Sequence, residues 1–265
     1  MSDLALPDAV RMILGWWTPQ VREVLGPDLY SIALYGSVTL GDFAPGWSDV
    51  DTCIVLSEPI SEEEADRLAA LHDATRERFV ERHENGWRSG QAVEGQCIPR
   101  ELVADPEAAA PCYKSWGHER KRIDGNPITG FDRYMLAHHG VCWSGEAVSF
   151  TPPTRDDLRR QLHKDLGDVS DEREWHARSP LWLAAITHWF ARSSVFWRDG
   201  EMLSKTAALE REISNGSPFA VEYELALRLR REGSVHCGEH HSELRANFNR
   251  IIDTVLKQLR EWSDK

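Results

Sequence analysis

Tyr35-Gly36-Ser37 and Trp47-Ser48-Asp49-Val50-Asp51, joined by Val38-Thr39-Leu40-Gly41-Asp42-Phe43-Ala44-Pro45-Gly46, form the stretch whose reading decides the fold. Gly36-Ser37 closes one apolar run, Ser31–Leu34, and Asp49-Val50-Asp51 opens another, Thr52–Leu56. Both runs predict strands. A glycine at the first corner lets the backbone approach a phosphate, and a serine at the start of the short helix expected from Ser37 can donate to phosphate oxygens. Asp49 and Asp51 stand two apart on the second strand, which sends both carboxylates to one face. Paired hard carboxylates suit Mg2+, which usually completes its shell with substrate phosphates. Each half is ordinary alone: Gly-Ser is frequent, and Asp-x-Asp at a strand end is often only a turn device. Between two strands they together predict nucleotide chemistry at a metal site, with Asp42 read as a turn residue.

Composition narrows the class. A chain of 265 residues suits one large domain or two small ones. No run of about 18 apolar residues occurs, so no membrane span is expected. The first residues carry Asp3 and Asp8 and lack the basic start of a signal peptide. The five cysteines, Cys53, Cys97, Cys112, Cys142 and Cys237, are odd in number and show no paired spacing. Free thiols in a reducing, cytoplasmic setting are expected. His236-Cys237 and His240-His241 have no companion cluster and read as solvated loop rather than zinc ligands. The formal net charge of −12 argues against a nucleic-acid partner, which would need a basic track, and Arg120-Lys121-Arg122 is short for that purpose. A negative surface concentrates cationic small molecules instead.

Periodicity lays out the rest. Val10, Ile13, Leu14, Trp17, Val21 and Leu25 share one face of a helix from Pro7 to about Leu25, ended by Gly26-Pro27. Ser61 before Glu62, Glu63 and Glu64 marks the start of a helix reaching about His83. Gln91–Ile98 predicts a third strand, with Val93 and Cys97 on one face and Ala92, Glu94 and Gln96 on the other. A loop-rich stretch is expected from Pro99 to about Pro127, then a helix over Thr129–His139. Thr151-Pro152-Pro153-Thr154 reads as a linker. Beyond it the pattern is helical over 155–167, 180–197, 204–214, 219–231 and 240–262. The expected fold is an α/β domain over 1–150, a mixed sheet with flanking helices, followed by an all-α helical bundle over 151–265.

A metal pair of this kind calls for a third carboxylate on the neighbouring strand, as metal ligand or general base. Glu94, the lone acid within an otherwise apolar or small strand, is the candidate.

Gly36-Ser37 followed by Asp49-Val50-Asp51 resembles the nucleotidyltransferase superfamily that includes DNA polymerase beta. With Ser48, the Glu94 strand and a helical second half, most of the chain resembles the streptomycin/spectinomycin 3''/9 aminoglycoside adenylyltransferases. The resemblance implies ATP and Mg2+ as cofactors, Glu94 as catalytic base, and Asp49, Asp51 and Glu94 at the metal. It implies nucleotide contacts from Gly36, Ser37 and Ser48, and from Arg192 in Phe190-Ala191-Arg192-Ser193 and Lys205 in Leu203-Ser204-Lys205-Thr206. The family completes its ATP and acceptor cleft with the helical domain and moves AMP onto a small-molecule hydroxyl, releasing pyrophosphate. A monomer is expected.

One place departs from the family. Acidic side chains are expected at the start of the arginine-bearing helix, where they would receive the drug's ammonium groups. Here His176 to His188 contains no acid, and Arg178 and Trp182 stand there instead. A desolvated cation facing Arg178 would lose its partner and meet repulsion. Trp116 matches the family's acceptor-stacking tryptophan, and Trp182 is a second candidate for the acceptor wall. Trp47, Trp87, Trp143 and Trp197 read as core. Two alternatives stay open: adenylylation of another acceptor (a different antibiotic, a metabolite or a protein hydroxyl), and a nucleotide-binding module without catalysis.

Overall fold

The computed structural model describes residues 5–82, 88–89, 92–105, 107–116 and 119–265. Trp87 and Gln91, expected in the core and in the third strand, lie outside the described residues, as does His83. The chain divides into two compact units: residues 1–43 with 48–154, and residues 44–47 with 155–265.

The first unit is built on a six-stranded sheet. Helix α1, Asp8–Leu25, buries the six residues whose spacing predicted it and ends at Gly26, where φ is +52°. A single 3-10 turn, Gly26–Asp28, leads into β1, Leu29–Leu34, and after the 35–49 loop comes β2, Val50–Leu56. Helix α2, Glu62–Phe79, starts with a full capping box: Ser61 Oγ accepts from the Glu64 amide while the Glu64 carboxylate accepts from the Ser61 amide. It stops short of the expected His83, because Val80 turns extended and Glu81–Arg82 (β3) pairs with Arg88–Ser89 (β4).

Strand β5, Val93–Pro99, returns parallel to β2 after the α2 crossover, and α3, Glu101–Ala104, follows. The stretch expected to be loop then forms an antiparallel hairpin, β6 over Pro111–Trp116 and β7 over Glu119–Asp124. Helix α4, Gly130–His139, is capped by Thr129 and leads into β8, Val141–Gly145. The strand order is β7-β6-β5-β2-β1-β8, antiparallel except for the central β2–β5 pair. Val10, Ile13, Leu14 and Trp17 of α1 and Leu68 and Leu71 of α2 meet Ile32, Leu34, Ile54, Leu56, Cys97 and Tyr113 in one core.

The second unit is helical: α5 Arg155–Asp171, α6 Arg173–His176, α7 Pro180–Asp199, α8 Lys205–Ser214, α9 Ala220–Glu232 and α10 His241–Ser263. Helix α7 is buried nearly all round, from Leu183 to Trp197, as befits the centre of a bundle. Pro180 starts it, Ser179 caps it, and Gly200 ends it in the left-handed region. Phe190 of α7 stacks on Phe248 of α10, and His163 of α5 bonds Ser263 at 3.1 Å. Residues Ser234–His240 form a 3-10 segment, where a solvated loop was expected. All five cysteines are free, four of them buried. No helix among the described residues is long and apolar enough to cross a membrane.

Candidate active site

The Gly36 corner shows why this position is glycine. Its φ is +73°, where an L side chain is strained, and an added Cβ would sit 2.0 Å from Asp51 Oδ2. The backbone of the first motif and the carboxylate of the second are therefore in direct contact. The expected short helix at Ser37 does not form. Residues 36–41 are successive turns, closed by Leu40 N to Gly36 O (3.2 Å) and Asp42 N to Ser37 O (2.9 Å). A positive φ at Gly41 prevents propagation beyond one turn. No helix dipole is therefore offered to a phosphate at this corner, and the Ser37 side chain is what can meet one. Ser37 Oγ is buried and has no hydrogen-bond partner within the protein. A buried hydroxyl in that state is costly unless a ligand engages it.

Asp51 is the second residue of β2 and lies opposite Glu94, the second residue of β5, in the parallel register. Register neighbours present their side chains to the same side of a sheet. Asp49 falls just before the strand rather than on it. It is fixed there because its Oδ1 accepts from the Ala92 amide at 3.3 Å, and Val50 N bonds Ala92 O at 2.8 Å. Ser48 is buried beside it. Gly95, φ +144°, is required where β2 and β5 come together, since an added Cβ would meet the Thr52 carbonyl oxygen at 1.7 Å. Glu94 is buried, and its carboxylate Oε1 accepts from Arg76 Nη2 at 3.1 Å. Tyr35 OH donates to Gln96 Oε1 at 3.1 Å, and burial together with the Asp132 and Asp51 charges pushes the Tyr35 hydroxyl well above its usual range.

Among the described residues no three or more His, Cys, Asp or Glu side chains converge as a metal cage. The residues still suit Mg2+, which takes one or two protein carboxylates and fills the remaining positions with water and phosphate oxygens. Asp51 at the Gly36 corner, next to an unpartnered Ser37 hydroxyl, is such an arrangement.

In the second unit Arg192 and Lys205 both lie within electrostatic reach of one buried histidine. His188, one turn before Arg192, is buried and bonds Ala226 O through Nε2 at 3.1 Å. Its pKa is lowered to about 3, first by burial and then by the charges of Arg230, Lys205 and Arg192. Three cations from α7, α8 and α9 thus act on one imidazole. Arg230 was missed in the sequence, where Arg228-Leu229-Arg230-Arg231 reads as a basic last turn of α9. Its Nε bonds Thr206 Oγ1 at 2.9 Å, beside Lys205. Trp47 belongs to this unit, edge-on to His188 at 4.9 Å, with its Nε1 donating to Leu229 O at 3.0 Å.

Of Trp116, Arg178 and Trp182, the first lies in the first unit and the other two in the second. Trp116 ends β6 in the first unit and is 42% exposed. Trp182, 45% exposed in the first turn of α7, contacts Trp175, whose ring centroid is 5.8 Å away. Arg178 is exposed just ahead of the Ser179 cap. Trp175 carries no spacing signal that the sequence reading used.

A glycine corner against Asp51, with Glu94 opposite it in the parallel register, is an arrangement suited to nucleotide chemistry. Residues 20–89 match the family model described as a nucleotidyltransferase domain, which contains Gly36, Ser37, Asp49 and Asp51 and stops short of Glu94. Residues 20–89 thus carry the sequence pattern of a nucleotidyltransferase domain. The chain's fold is similar to that of spectinomycin adenyltransferase AAD(9) from Enterococcus faecalis, a structure with ATP and spectinomycin. The TM-score is 0.65 at 12% identity, over 96% of this chain and 99% of that one. No curated protein matches the chain by sequence.

Proposed function

We propose that the protein transfers AMP from ATP to a hydroxyl of an aminoglycoside or aminocyclitol and releases pyrophosphate. The observation that carries this reading is the Gly36 corner: Asp51 Oδ2 lies where a Cβ would be, next to the buried, unpartnered Ser37 Oγ. Ser37 and Ser48 donate to the triphosphate, and Arg192 and Lys205 of the helical unit neutralise it, so residues 1–150 and 151–265 act as the two domains of one ATP-binding enzyme. Lys205 is the first residue of α8, and no acid stands in that first turn. A cation there opposes the helix dipole, which is reasonable where it serves an anion. Asp49 and Asp51, with Glu94 on the neighbouring strand, would hold magnesium, which when bound would supply charge neutralisation at the phosphates. Glu94 takes the proton of the acceptor hydroxyl as its oxygen bonds the α-phosphorus and the α–β bridging bond breaks.

The AAD(9) structure contains spectinomycin, and the fold likeness supports an acceptor of that class. A second reading, a different acceptor on the same chemistry, is favoured by the start of α7, which has no acid in its first turn and exposes Trp182 beside Trp175. The test is pyrophosphate release from MgATP across a panel of aminoglycosides and aminocyclitols, with Asp49→Asn as blank. Release with spectinomycin or streptomycin supports the first reading. ATP binding with silence across the panel moves the acceptor to another class, and absence of ATP binding removes both.

A further inference from the structure

Arg76 sits in the last turn of α2, where a cation ordinarily faces solvent and offsets the helix dipole. The structure turns it inward. Its guanidinium Nη2 donates to Glu94 Oε1 at 3.1 Å, and the two side chains are only 17% and 10% exposed. Drawing both charges out of water offsets most of their mutual attraction, so a buried pair adds little net stability. What such a pair supplies is direction, because a planar guanidinium constrains the plane and rotamer of the carboxylate it holds. The Glu94 backbone is fixed as well, since Thr52 Oγ1 donates to the Glu94 carbonyl at 3.0 Å and β5 is registered against β2 at Asp51. Backbone and carboxylate are thus held from separate elements, with Arg76 of α2 on the carboxylate.

Resting on the assignment of Glu94 to the reaction, we propose that Arg76 is a positioning residue that orients the Glu94 carboxylate for metal uptake and proton removal. It acts through Glu94 and has no part in the chemistry of its own. Supporting groups of this kind are worth about 10–100-fold in metal affinity or rate.

The experiment is a double-mutant cycle on the full chain, with Arg76→Met, Arg76→Lys, Glu94→Gln and the Arg76→Met/Glu94→Gln pair. Two readouts are taken: Mn2+ affinity by electron paramagnetic resonance with a non-hydrolysable ATP analogue, and AMP transfer to spectinomycin. Arg76→Met should lose about 10–100-fold in at least one readout, Arg76→Lys should recover most of it, and the pair should be no worse than Glu94→Gln alone. Losses that add in the pair would make Arg76 a structural residue and overturn the proposal. So would an Arg76→Met protein equal to wild type when Glu94→Gln is impaired. Glu94→Gln equal to wild type in both readouts would instead remove the assignment of Glu94 on which the proposal rests. Should Arg76→Met not fold, Arg76→Gln takes its place in the same cycle.

Discussion

Ser37 and Gly36 are adjacent, yet their substitutions should separate binding from stability. Ser37 Oγ has no partner to lose, so Ser37→Ala should leave the urea midpoint within about 0.5 kcal/mol of wild type or raise it slightly. Its KM for ATP should rise, because the hydroxyl's only work is toward a ligand. A stability loss with unchanged KM would contradict this. Gly36→Ala places a Cβ on Asp51 Oδ2 at a left-handed residue. We expect a loss of about 1–2 kcal/mol from the backbone alone, with AMP transfer falling to the level of Asp51→Asn. Equal activity in Gly36→Ala and wild type would show that the contact does not matter. At Glu94 the expectation is kinetic: Glu94→Gln should slow transfer by about 10²–10⁴-fold while ATP still binds, as stopped-flow and equilibrium titration would check.

At the scale of elements, the β2–β5 pair is where fold and site coincide. Gly95→Ala would drive a Cβ into the Thr52 carbonyl and separate the strands that place Asp51 opposite Glu94. We expect a cost of about 3 kcal/mol or more with activity lost in parallel, unlike Ser37→Ala. A urea melt indistinguishable from wild type would sink that expectation. The strands of this pair were legible because both are buried apolar runs with carboxylates at one end. The helices were legible because Val10 to Leu25 and Leu183 to Trp197 keep helical spacing and begin at Pro, Ser or Thr signals. The β6–β7 hairpin was not, for a physical reason: β7 is an edge strand, and its half-exposed Arg120-Lys121-Arg122 reads as a charge run while it pairs in the sheet. The helix expected at Ser37 failed because local turn chemistry at Gly36 and Gly41 outweighed it. Arg76 and Arg230 were illegible for a shared reason. Each resembles a surface cation closing a helix, and only the tertiary structure buries it.

Across the whole molecule, each unit has a deeply buried histidine whose imidazole stays neutral. In the first, His72 donates from Nδ1 to Leu68 O at 2.8 Å, lies against Tyr113, and has its pKa lowered to about 4, chiefly by burial. In the second, His188 is lowered to about 3. An unfolded histidine titrates near 6.5, so below that value the unfolded chain binds protons that the folded chain refuses. The sign follows: both groups leave stability intact above about pH 6.5 and remove it as the pH falls toward their folded values, each by up to about 1.4 kcal/mol per pH unit. Carboxylates contribute mainly below about pH 5, which leaves the interval from 6.5 to 5 to histidine. His139 and His176 are shifted in the same direction and add to the slope. Urea unfolding at pH 7.5, 6.0 and 5.0 should therefore show falling stability in wild type. His72→Gln and His188→Gln should each flatten that fall, and their combination should flatten it further. Because the chain has two compact units, the two substitutions should act on separable transitions wherever unfolding is not all-or-none. A wild-type stability that stays constant from pH 7.5 to 5.0 would mean that neither imidazole is kept neutral by its burial. The cationic group of Arg192, Lys205 and Arg230 around His188 would then have to be less concentrated than the geometry implies.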